Sequence, residues 1–421
     1  MQTFTFSKIF GKKMGRFERK LLCDKHGYNG KIIVAIMYHN SEMIAFESET
    51  HGIVHDHFLE GIGESDEQCL EKLEVDGRIE ATSAYIHGKT LKFTTRNGEE
   101  GEIRFKAAAK GWGGNTYNTA VAYHTIQNAL GVANDPAAQM QYYTHIVNDQ
   151  LREVYREQFG RGATIESNKP KPVSRQGFYI PKRDNPSDGT YISQTPHYPY
   201  EEMPIARYGA DYFFSSLHPE STLVQRLEAR AQSANDMKIY VAPGKQQLRE
   251  GFPPEFLERI YLQAMNAKEA QKLLGIQASK KLNGVELVKE LSRKLSELGP
   301  QNILLTNGGL PIAHYDREKD IHTVIEPPRP EEIRRLASDL HGQEIPEQDV
   351  SRIGCGDALL GAFMALEQIR SQRGKRISLE QSLQLSVTIS RYHAWSKNPN
   401  IAYMDEQFLK RLGEKIMPGL S

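Results

Sequence analysis

From residue 115 onward, short apolar runs of strand length alternate with longer stretches in which apolar positions recur at helical spacing. The pattern predicts a helix over 115–130, strands over 142–147 and 211–217, and a helix over 219–234. Strands over 237–242 and 258–264, helices over 267–275 and 283–297, and a strand over 302–306 follow. Such alternation predicts a mostly parallel sheet with helices on both faces. Strands at 311–315 and 321–325 read as a late hairpin, and helices are expected at about 356–372, 378–395 and 404–415. Ahead of all these, Lys-Ile-Ile-Val-Ala-Ile-Met at 31–37 is a short β-branched run that reads as a buried strand.

Two stretches break the alternation. Residues 89–95 and 101–106 alternate polar and apolar about Asn97-Gly98, the pattern of a hairpin, here expected to project from the main sheet. Between 166 and 207, Pro170, Pro172, Pro181, Pro186, Pro196, Pro199 and Pro204 rule out a regular helix, and so long an excursion within an α/β domain reads as a lid or an insert. Residues 1–30, rich in Lys and Arg, read as an N-terminal extension, and 31–421 as one domain.

Composition narrows the partners. Lys and Arg total 53 and so do Asp and Glu, with no long basic block, which disfavours an extended nucleic-acid surface and points to a small molecule. Cys23, Cys69 and Cys355 are scattered, without a C-x-x-C pair, as in a reducing compartment. No stretch has the length and apolarity of a membrane span or a signal segment, so a soluble, cytoplasmic protein is expected.

Candidate chemistry concentrates at two glycine-bearing segments. Gly354-Cys355-Gly356-Asp357 opens an almost wholly apolar helix. Glycines there let successive N–H groups converge at the positive end of the helix dipole, which suits a phosphoryl group, and Asp357 in the first turn is placed to accept a hydroxyl proton. The same residues also read as a glycine turn whose aspartate satisfies first-turn amides. The second segment, Gly111-Trp112-Gly113-Gly114-Asn115, reads as a turn opening an amphipathic helix, with Asn115 and Asn118 presenting amides on its first turn. Its structural alternative is an Asn115 cap.

Taken in order, the early Gly-Gly-Asn-x-x-Asn segment and the late Gly-x-Gly-Asp helix resemble the ribokinase-like (PfkB) family of sugar and nucleoside kinases. Asn266-Ala267-Lys268-Glu269 resembles the family's Asn-x-x-Glu motif, although a capping box fits the same residues, and Thr306-Asn307-Gly308-Gly309 resembles its nucleotide-approaching loop. The resemblance implies an α/β three-layer αβα sandwich with a mostly parallel central sheet and a small β-rich lid, drawn from about 45–106 and 172–205. It further implies ATP-dependent phosphotransfer to a hydroxyl of a sugar, sugar-like or nucleoside substrate, with Asp357 as general base and Gly354, Cys355 and Gly356 as the anion hole. Gly113, Gly114, Asn118 and Glu42 fall on the substrate side, Asn266, Thr306, Gly308, Gly309 and Arg352 on the ATP side, and Glu269 on Mg²⁺. A homodimer formed through lid strands is compatible with the family. Ser351-Arg352-Ile353 stands where the family commonly has Asp-Thr-Thr, which removes groups that support a monovalent cation there. That departure, with Arg391, Tyr392, His393 and Trp395 where a small-residue adenine wall is usual, motivates an alternative: a kinase-fold protein with weakened catalysis acting as a ligand-binding or regulatory module.

Overall fold

The computed structural model describes residues 44–48, 54–75, 78–113, 115–130, 140–144, 156–157, 159, 164–166, 175–183, 189–194, 211–215, 238–243, 248, 252, 254–276, 284–342, 354–373, 377–395 and 406–416. The chain runs through β1 (Ile44–Ser48), β2 (Val54–Glu60), α1 (Glu64–Leu73), β3 (Arg78–His87), β4 (Thr90–Thr95), β5 (Glu100–Arg104), β6 (Ala107–Gly113) and α2 (Asn115–Ala129). It continues with β7 (Met140–Thr144), β8 (Thr164–Glu166), β9 (Arg175–Pro181), β10 (Gly189–Gln194), β11 (Asp211–Ser215), β12 (Ile239–Ala242), α3 (Pro254–Leu257), β13 (Ile260–Asn266), α4 (Ala267–Leu273) and α5 (Gly284–Ser296). Then come β14 (Asn302–Asn307), β15 (Leu310–Asp316), β16 (Ile321–Ile325), α6 (Pro330–His341), α7 (Cys355–Arg373), α8 (Leu379–Trp395) and α9 (Glu406–Ile416).

The larger sheet has the order β8-β7-β1-β11-β12-β13-β14-β15-β16. Strands β8 to β14 in that order pair in parallel, and β15 and β16 extend the edge in antiparallel fashion. Parallel strands are covered on both faces, and β14 shows why the sequence reads as a continuous apolar run there. Leu304 packs with α2, α6, α7, α8 and α9 on one face, while Ile303 and Leu305 pack with α4 and α5 on the other. The smaller sheet, β5-β4-β3-β10-β9-β2-β6, encloses its own core of Leu91, Phe93, Ile103, Phe178 and Ile192. Its strand β4 alternates half-buried and buried positions, the signature of a sheet with one wet face.

Several expectations change. The strand at 31–37 and the helix at 219–234 lie outside the described residues. Residues 44–48 form β1 in the middle of the larger sheet, so the small sheet begins at Val54 rather than near 45. Gly111 to Gly113 are not a turn but the end of β6, paired with β2. Helix α2 is not amphipathic: every residue except Asn115 and Asn128 is buried. The proline-rich segment supplies β9 and β10 to the small sheet. Helix α6 went unexpected although its signals are standard: Pro330 at the start, Glu331 and Glu332 in the first turn, and Gly342 in the left-handed conformation at the end. Among the described residues, no helix is long and apolar enough to cross a membrane.

Helices α2 and α7 form the centre of the core. A helix apolar on every side must be buried on every side, and residues 358–369 of α7 all are. The two helices approach so closely at Gly361 that a Cβ there would lie 2.4 Å from the Thr119 carbonyl oxygen and 2.5 Å from the Ala122 Cβ. Buried polar groups fix the register: Gln127 Nε2 donates to the Ala365 carbonyl at 3.3 Å and to Gln368 Oε1 at 3.1 Å, and the Tyr123 hydroxyl donates to the same Gln368 oxygen.

Overpacking at this crossing has a predictable cost. Gly361→Ala is expected to lower stability by about 1–3 kcal/mol, read as a lower midpoint in urea unfolding. Gly356→Ala, whose Cβ meets nothing within 4 Å, is expected to leave that midpoint unchanged or raise it.

Candidate active site

Chain connectivity brings the small sheet to the core. Strand β6 ends at Gly113 and α2 begins at Asn115, so a single residue, Gly114, links the sheet edge to the helix. One turn into α2, the side chain of Asn118 is buried and its Nδ2 donates to Asp357 Oδ2 at 3.2 Å. The Asn118 Oδ1 atom is buried too, with no donor among the described residues. Such an acceptor suits a hydroxyl brought by a ligand.

On the other side of that bond, the first turn of α7 is built from backbone. Gly354 has φ +73°, the left-handed region that a residue with a Cβ adopts only at a cost. The first helical bond runs from the Ala358 amide to the Gly354 carbonyl at 2.8 Å, so the amides of Gly356 and Asp357 precede the ladder. Ser390 of α8 donates its hydroxyl to the Cys355 carbonyl at 2.8 Å and anchors the turn. Because a Cβ at Gly356 would meet open space, this face of the backbone is approachable, and it lies at the positive end of the helix dipole. Those features fit a phosphate group.

Electrostatics single out Asp357. Burial pushes its carboxyl up from 3.8 to about 7, the charge of Glu269 adds to the rise, and the hydrogen bond from Asn118 opposes it. A carboxylate poised near neutrality is suited to taking a proton from an alcohol. Glu269 belongs to a capping box at the start of α4: its amide donates to Asn266 Oδ1 at 2.9 Å, and the Asn266 amide donates to Glu269 Oε2 at 2.8 Å. The cap is therefore formed, and its carboxylate is also near enough to raise the proton affinity of Asp357.

The structure brings Asn118, Asp357 and the Gly354–Gly356 backbone together, with Glu269 within electrostatic reach. Asn266 lies beside Thr306 in the β13–β14 register, at the ends of the two strands. Gly308, at φ +59°, and Gly309 form the following turn, and Arg391 of α8 donates to the Gly309 carbonyl at 2.8 Å. Gly113 stands at the end of β6. Gly114, Glu42 and Arg352 lie outside the described residues. Sequence reasoning missed the clamp by Ser390, because one serine among the several hydroxyl residues of α8 carries no sign of the carbonyl it meets. Among the described residues no group of three His, Cys, Asp or Glu side chains clusters as a cation site.

No protein-family model matches the chain, and no curated protein sequence matches it. Solved structures do. Ribokinase from Cryptococcus neoformans var. grubii serotype A, in complex with ADP, superposes with a TM-score of 0.57 at 16% identity, covering 89% of this chain and 99% of that one. Arabidopsis thaliana ribokinase complexed with ribose and ATP gives 0.52 at 14% identity, with 88% and 98% covered. Trypanosoma brucei brucei adenosine kinase gives 0.54 at 12% identity, with 84% and 98% covered. The chain has the ribokinase-like fold: an α/β sandwich on a mostly parallel sheet, with a small β-sheet lid.

The raised carboxyl at 357 also has a stability consequence. The native state holds this proton up to about pH 7 and the unfolded chain only up to about 3.8, so the native state binds the extra proton in between and stability falls as pH rises across that window. Asp357→Asn, uncharged throughout, is expected to melt at a higher temperature than the wild type above about pH 7, with the advantage vanishing below about pH 4. Thermal unfolding of both proteins across pH checks this.

Proposed function

We propose that the chain transfers the terminal phosphoryl group of ATP to a hydroxyl of a sugar, sugar-like or nucleoside substrate. The observation that carries the reading is the hydrogen bond between Asn118 and Asp357, which sets an amide beside a carboxyl group poised near neutral pH. The ribokinase-like fold supports it, since solved structures sharing that fold include ribokinases and an adenosine kinase.

In this reading Asp357 takes the proton of the acceptor hydroxyl, and Asn118 orients that hydroxyl through its unpartnered Oδ1. The Gly356 and Asp357 amides at the start of α7 hold the charge that builds on the transferring group. Asn266, Thr306, Gly308, Gly309 and Arg352 stand on the ATP side, Gly113, Gly114 and Glu42 on the substrate side, and Glu269 holds Mg²⁺. Bound there, Mg²⁺ and ATP supply the phosphoryl donor and offset its charge.

The test is ADP release measured across a panel of sugars, sugar phosphates and nucleosides. Asp357→Asn is expected to lower kcat by about 10²–10⁴-fold with the fold intact, and unchanged turnover would retire the assignment. Because the base works deprotonated, kcat/KM is expected to fall as pH drops below about 7. Gly356→Ala, neutral for stability, is expected to lower kcat by obstructing the phosphate. Failure to bind ATP with Mg²⁺ by calorimetry would favour the regulatory alternative.

A further inference from the structure

One stretch of α8 grips two separate segments of the site. Residues 385–390 of that helix are all buried, and Leu385, Val387 and Ile389 belong to the core shared with α2 and α7. Ser390, the last of them, donates to the Cys355 carbonyl at the start of α7. The next residue, Arg391, is half-buried and donates from Nη2 to the Gly309 carbonyl at 2.8 Å. Adjacent positions on a helix packed into the core thus hold both the turn ahead of Asp357 and the turn that follows β14.

The second of these turns has little of its own to hold it. Gly308 lies at φ +59° and is followed by another glycine, and glycine gives up more conformational freedom on ordering than any other residue. A Cβ at Gly309 would sit 3.2 Å from Arg391 Nη2, so the guanidinium occupies the space that a side chain there would take. For stability the bond counts for little. It is exposed, and the rotamer freedom that a long arginine side chain surrenders is of the same order as the gain from one hydrogen bond. What the bond fixes is position.

Position matters here because of where the turn stands. Thr306, just ahead of it, lies beside Asn266 at the carboxyl ends of two parallel strands, the side on which open α/β sheets bind ligands. Asn266 in turn caps the helix whose Glu269 acts on Asp357. The turn and the acid therefore belong to one neighbourhood, and α8 ties them together.

We infer that Arg391 is a positioning residue for the nucleotide: it holds Gly308 and Gly309 in a fixed relation to the Gly354–Gly356 backbone through the Gly309 carbonyl, touching no reacting atom. The inference rests on the phosphotransfer reading. Without Arg391, ATP has to order the glycine pair as it binds, which weakens binding and leaves the chemical step as it was. The test is steady-state kinetics of the full-length wild type, Arg391→Met and Arg391→Lys, with the acceptor that the substrate panel identifies, beside calorimetry with ATP and Mg²⁺ in the absence of acceptor. Methionine keeps the apolar stem and removes the donors, whereas lysine restores a donor for the single carbonyl. Arg391→Met is expected to raise KM and Kd for ATP at least about tenfold, in line with loss of a hydrogen bond from a charged group, with kcat and the acceptor KM within about twofold. Arg391→Lys is expected to recover most of the loss. Should Arg391→Met fail to fold, Arg391→Gln, polar but shorter, takes its place with the same expectation. A wild type that neither binds ATP nor releases ADP overturns the phosphotransfer reading and this inference with it. A wild type that turns over overturns this inference alone if KM for ATP is unchanged in the variant, if kcat or the acceptor KM suffers as much, or if lysine does no better than methionine.

Discussion

The structure turns on the contact between α2 and α7. These helices lie far apart in the chain, yet at Gly361 they approach to a distance that leaves no room for a methyl group. That closeness lets a short side chain, Asn118, reach a short side chain, Asp357, across 239 positions of sequence. Had residue 361 carried a larger side chain, the helices would stand further apart and the two groups would face each other through solvent. Glutamines hold the crossing in register, since Gln127 donates to Gln368 and to the Ala365 carbonyl inside the core.

The same geometry sets stability against chemistry. Burying Asp357 raises its proton affinity to the range where a base works at neutral pH, and it does so by making the ionised form expensive. Glu269 deepens the cost, while Asn118 is the group that offsets part of it. The core tolerates this because residues 358–366 of α7 are apolar and buried, so one uncomfortable carboxyl sits beside an otherwise well-packed stretch of helix.

Where packing alone dictates the element, the sequence is transparent. The runs at β12 and β14 are apolar because both faces are covered, and residues 358–366 of α7 are apolar on all sides for the same reason. The hairpin of β4 and β5 is announced by Asn97-Gly98, with Gly98 at φ +84°. By contrast β6 reads Ala-Ala-Ala-Lys-Gly-Trp-Gly, residues with little strand preference, and it is a strand because β2 lies alongside to pair with it. Helix α1 has Leu70 as its buried residue, too little for a periodic signal. At the site, glycines and asparagines draw attention to the two segments, but neither the bond between Asn118 and Asp357 nor the grip of Ser390 on Cys355 has a local signature. Each depends on the meeting of distant elements. The Asn266–Glu269 segment is a different case, since the residues that make a cap also carry the charge felt at Asp357, and no spacing rule separates the two uses.

The one-residue joint between β6 and α2 ties the small sheet to that acid. The strand that edges this sheet and the helix that carries Asn118 are one nearly continuous run of chain, so the amide that lowers the proton affinity of Asp357 sits five positions past the last residue of β6, where a longer connector would have let it drift.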